Sequence, residues 1–221
     1  MTGSGSGPAS GVGDGPASGA DAGGRRHRRP LFFDNAQLAE HGGAVDPVQE
    51  IEAAHQSAAV LVRAGRAADD PALTARLVAL VEDVGLWTVA DLWSTRPPRS
   101  LPGALWRLYA LREWVRLHPL VASREYAAGM RHTGVDHVVA GPEEPPGPQE
   151  LRELLDAVLR GVFDGDLAVA LERAAAFCRV VSAGRAEVSE GPDAAQSAAA
   201  LAGTAHDLTA AAALWRLGEL T

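Results

Sequence analysis

From residue 46 to residue 220, apolar side chains return every three or four positions, and nowhere do they alternate with the period of two that a sheet requires. A chain patterned in this way must bury its apolar stripes by packing helix on helix. The expectation is an all-α fold: a single multi-helix bundle of seven or eight helices around one central apolar helix, over residues 31–221. Residues 1–24 are almost all Gly, Ser, Ala, Pro and Asp, and Arg25, Arg26, Arg28 and Arg29 follow. They hold too little apolar surface to offset the entropy of ordering, and a disordered tail is expected over residues 1–30. Leu31-Phe32-Phe33 could dock on the body.

Helix starts are written into the chain. Asp46-Pro47-Val48-Gln49 combines an aspartate cap, a proline at the first helical position and a glutamine for a capping box. The stripe predicted to be buried on this helix is Val48, Ile51, His55, Ala58 and Val62, with Gly65 as its stop. Asp70-Pro71 repeats the device, placing Leu73, Leu77, Leu80 and Val84 on one face before Gly85. A short helix follows Thr88 and closes at Pro97-Pro98. Ser100 caps the next, 101–118, which is apolar almost all round and so belongs at the centre. Pro119 opens a shorter helix through Tyr126, which gives way near Gly129 to a loop whose breaker-rich 141–148 reads as a hinge before three further helices at about 148–163, 166–183 and 193–220. The last carries Leu201, Ala205, Leu208, Ala212 and Trp215 on one stripe.

Charge and residue type narrow the chemistry. All 20 basic side chains are arginine, which excludes mechanisms that need a lysine amine, including the phosphate-loop lysine and any lysine Schiff base. One isoleucine, one asparagine and heavy use of alanine and arginine resemble the drift of a GC-rich bacterial genome. The single cysteine, Cys178, can form no internal disulfide and reads as a small buried hydrophobe. The twin arginines before Leu31 suggest an export signal, but Asp34 and Glu40 interrupt the apolar run it would need. The lone cysteine fits a reducing cytoplasm, which is the setting expected, and no stretch reads as a membrane span. Residues 31–221 hold 16 arginines against 26 acidic residues, yet within them 96–131 holds seven arginines against Glu113 and Glu125.

That basic stretch is the best functional candidate. Arg107, Arg112 and Arg116 alternate with Trp106, Tyr109 and Trp114, and guanidinium forks beside aromatic faces suit planar anions, phosphates or a partner's acidic helix. The plainer explanation is internal pairing with Glu50, Glu82 or Glu153, the aromatics being core. Other signals are weaker. Glu52 and His55 form a lone Glu-x-x-His pair where a di-iron bundle needs two, so no metal is expected. His55 falls mid-stripe and must find a partner, either Glu52 or the counterion of a core arginine, and reads first as a satisfied core histidine. His132 and His137 are not spaced to share a helical face. Asp164-Gly165-Asp166 reads as a helix cap before it reads as a cation loop. Residues 77–93 can be drawn as a helix-turn-helix, but Asp91 would repel phosphate and the would-be recognition helix has no base of its own before Arg96.

Ser100-Leu101-Pro102-Gly103-Ala104-Leu105-Trp106-Arg107-Leu108-Tyr109 and Gly165-Asp166-Leu167-Ala168-Val169-Ala170-Leu171-Glu172-Arg173 resemble uncharacterised helical proteins of actinobacteria, over about 45–185. The resemblance implies a cytosolic setting and brings no activity with it. The expected job is therefore non-enzymatic: an intracellular regulatory or adaptor protein that binds a protein partner through the Arg and Trp/Tyr surface, without a cofactor. The alternatives are a small-molecule binder or enzyme with an anion pocket of Arg112 and His55, and a weak nucleic-acid binder.

Overall fold

The structure, a computed structural model, describes residues 46–68, 70–141, 145–189 and 192–221. The tail, the Leu31-Phe32-Phe33 cluster and the middle of the 141–148 stretch lie outside them. Ten helices form among the described residues: α1 Pro47–Ala68, α2 Pro71–Val78, α3 Leu80–Val84, α4 Leu86–Trp93, α5 Leu101–Leu117, α6 Pro119–Gly129, α7 Gly134–Ala140, α8 Pro148–Asp164, α9 Leu167–Val188 and α10 Pro192–Leu217. The fold is all-α, and no described helix is long and apolar enough to cross a membrane.

The caps explain most of the boundaries. Carboxylates of Asp46, Asp70 and Asp166 accept hydrogen bonds from Val48 N, Ala72 N and Ala168 N at 3.0, 2.8 and 2.8 Å. Each satisfies a donor that the first turn leaves unpaired. Ser100 does the same for Gly103 N at 3.3 Å. Gly85, at φ 84°, separates α3 from α4 in a conformation that favours glycine. The helix expected over 70–84 breaks at Ala79 into α2 and α3, and α7 forms where a loop was expected; these two changes raise the count above seven or eight.

α1 is rotated from its expected orientation. Ala54, Ala58, Val62 and Gly65 are buried, whereas Val48 and Ile51 are 67% and 46% exposed and His55 is half-buried. Small residues win the inner face because α1 lies close against α8: a β-carbon on Gly65 would sit 2.8 Å from the Phe163 β-carbon. Gly65 thus serves packing, and the helix runs through it to Ala68.

α5 is buried over most of its circumference, as its composition predicts. It shares the centre with α9, which packs against α5, α6, α7, α8 and α10. Leu171, Phe177, Cys178 and Val181 of α9 are wholly enclosed, each large apolar side chain worth roughly 1.5–3 kcal/mol of burial. Gly129 and Gly184 set the α6–α9 distance, since a β-carbon on either would fall within 1.8 Å of a backbone oxygen on the other helix. Buried aromatics keep their polar ends satisfied. Trp93 Nε1 donates to Ser57 Oγ at 3.0 Å, and Tyr109 Oη donates to the Leu77 carbonyl at 2.6 Å.

Candidate partner-binding groove

α5 distributes the predicted site residues over different environments. Tyr109 is 1% exposed, and burial pushes its hydroxyl pKa up, so it belongs to the core and offers nothing to a ligand. Arg112 points between α3 and α8, where its Nε donates to Asp156 at 2.6 Å and its Nη1 to Glu82 at 2.9 Å. Burial works against its charge, but the hydrogen bonds it donates to the two carboxylates outweigh this and raise its pKa. Of the acidic partners read from the sequence, Glu82 is used; Asp156 stands where Glu153 was expected, Glu153 accepting instead from Gln149.

Arg116 forks onto the buried Glu113 one turn earlier, at 2.7 and 2.6 Å. Those hydrogen bonds hold the Glu113 carboxyl below its ordinary range against the opposing effect of burial. Arg131 pairs with Glu187, which also contacts His132, while Arg99 meets Asp207 at 3.2 Å. Arg96 lies 3.9 Å from Glu50, and its buried Nε has no partner among the described residues.

Arg107 is placed differently. Its Nη1 donates to the Gly103 carbonyl at 2.9 Å, and its nearest carboxylate is Asp207 at 4.0 Å, the same group that Arg99 engages more closely. Burial lowers its pKa, and Asp207 only partly offsets this. Arg107 opens onto a groove of about 330 Å³ between α5, α9 and α10, walled by Trp106, Trp114, Leu201 and Thr204. Both indoles are half-buried, one face of Trp114 being covered by the Arg185 guanidinium at 5.0 Å. Arg185 is in turn fixed by Glu125 at 2.8 Å and Ser197 at 2.7 Å. The groove therefore has a rigid aromatic floor, one guanidinium fully paired, and one sharing a single distant carboxylate.

The structure thus brings Trp106, Arg107 and Trp114 together and directs Tyr109, Arg112 and Arg116 elsewhere. Arg185 of α9 and Thr204 and Asp207 of α10 were not foreseen; for the α10 pair the signal was the stripe containing Leu201, whose neighbour across the groove the sequence alone does not name. His55 and Arg112 do not meet. His55 Nδ1 donates to the Ile51 carbonyl at 2.8 Å, so Glu52, which accepts from Gln56 at 2.9 Å, is not its partner. The His137 side chain lies outside the description, and among the described residues no three His, Cys, Asp or Glu side chains are placed to hold a metal. α4 exposes Trp87 and Asp91, an unsuitable face for reading phosphate-lined DNA. The chain matches no family model, no curated protein and no solved structure.

Proposed function

We propose that this is a non-enzymatic, intracellular regulatory or adaptor protein whose α5–α10 groove holds a segment of a protein partner. The observation that carries this reading is the shortfall at Arg107, a part-buried guanidinium lining the groove with two indoles, whose carboxylate Asp207 stands at 4.0 Å and is shared with Arg99, where Arg112 and Arg116 have carboxylates within 3 Å. A partner segment with an aliphatic or aromatic side chain beside an Asp or Glu supplies what is missing: apolar cover for Trp106 and Trp114, and a charge-assisted hydrogen bond for Arg107. The excess of acid over residues 31–221 disfavours nucleic acid as the occupant.

Selection from a random peptide library on the full chain tests the idea. The expected winners share an acidic residue next to a large apolar one. Arg107→Ala should weaken them roughly ten- to hundredfold, the range of one charged hydrogen bond, while Arg116→Ala changes little. Equal losses in the two variants, or no enriched motif, would remove the groove from consideration.

A further inference from the structure

Three charged side chains meet at the edge of the α5–α10 groove. Asp207 stands three residues beyond Thr204, a wall residue, and therefore on the same side of α10. Its two carboxylate oxygens are divided between two guanidiniums: Oδ1 accepts from Arg99 Nε at 3.2 Å, while Oδ2 lies 4.0 Å from Arg107 Nη2. The first separation is a hydrogen bond and the second is too long for one. Asp207 is thus committed to Arg99, although Arg107 is the more enclosed of the two, its side chain 22% exposed against 50%.

The turn before α5 accounts for this. Ser100 donates to the Pro97 carbonyl through both N and Oγ, at 3.1 and 2.8 Å, and Leu101 N donates to the Thr221 backbone oxygen at 2.8 Å. The backbone that carries Arg99 is therefore fixed, and its side chain reaches Asp207 from the solvent side. Arg107 is restrained separately, its Nη1 tied to the Gly103 carbonyl one turn earlier at 2.9 Å. Neither guanidinium has to move for the carboxylate to change sides. A rotation of Asp207 that shortens the 4.0 Å gap by about 1 Å would pair it with Arg107 at charge-assisted distance.

We propose that Arg99 is a positioning residue of the groove: it holds Asp207 away from Arg107 and so keeps the Arg107 guanidinium open to a carboxylate from outside. The inference rests on the partner reading above only for the identity of that outside group. Two consequences distinguish Arg99 from an arginine that merely braces a turn. Its loss should be felt at Arg107, and the effect should require the Asp207 carboxylate.

The test follows the arginine side chains of the full chain by NMR, and titrates the tightest peptide from the library selection. In Arg99→Ala, rotation about the Arg107 Cζ–Nε bond should slow, because Asp207 then holds Nη2. The peptide should bind roughly two- to fivefold more weakly, the range of an exposed ion pair. Arg99→Lys, which keeps a charged donor, should retain the parent affinity. Asp207→Ala should bind more tightly than the parent, and adding Arg99→Ala to it should change nothing further. The proposal is overturned if rotation at Arg107 is the same in Arg99→Ala as in the parent, or if Arg99→Ala weakens the peptide equally with and without the Asp207 carboxylate. Slowed rotation in a chain that enriches no peptide would sink the partner reading alone and support the role of Arg99.

Discussion

At Gly184 a β-carbon would fall 1.7 Å from the Glu125 carbonyl oxygen, and at Gly129 one would fall 1.8 Å from that of Val180. Backbone cannot yield as a side-chain tip can, so Gly184→Ala forces α6 and α9 apart, and we expect a loss of about 3 kcal/mol or more in urea denaturation. Gly203, on α10, offers the contrast. Nothing lies within 4 Å of its added β-carbon, so Gly203→Ala should stabilise by roughly 0.5–1 kcal/mol through helix propensity. Equal effects from the two changes would contradict the crossing as described. The same residue type at Gly85 serves a positive φ, and at Gly65 an approach to Phe163. Only the first use is local, which is why Gly85 was legible as a stop and Gly65 was misread as one. Arg112 shows the same limit: its need for carboxylates follows from its place on an apolar helix, but Asp156 is 44 residues away and only the fold selects it over Glu153.

Among elements, helices that begin with their own cap were legible because capping needs only a few adjacent residues. Asp46, Asp70, Ser100 and Asp166 each perform the role their sequence position implied. α7 was not, because valines are indifferent helix formers and its outward Val135, Val138 and Val139 form no buried stripe. It is held instead from outside. Arg173 donates to the Ala140 carbonyl at 3.3 Å through both Nε and Nη2, and Arg179 pairs with Asp136 at 2.9 Å. Arg173→Ala should therefore raise hydrogen exchange across 134–140 severalfold while leaving the melting temperature nearly unchanged. A large drop in melting temperature, with exchange in α7 no faster than elsewhere, would show that Arg173 supports the whole bundle. Which face α1 turns inward was undecidable locally, since Val48 and Ile51 are better hydrophobes than Ala54 and Ala58 but too large for the contact with α8.

For the molecule as a whole, Cys178 provides a readout. It is fully enclosed on α9, and burial pushes its thiol up to about 12, so no thiolate is present near neutrality. Iodoacetamide at pH 8 should label it only as fast as the entire core opens, with a rate that follows the denaturation curve; fast labelling in the native state would mean that α9 is reached by local opening. The crossing of α6 and α9 also has a bearing on how such a chain can change its length. One residue inserted between 125 and 129, or between 180 and 184, would swing the rest of that helix by about 100° and carry its glycine out of the contact. Insertions and deletions should therefore survive in the connections and outer helices of this protein, and be fatal in those two short windows.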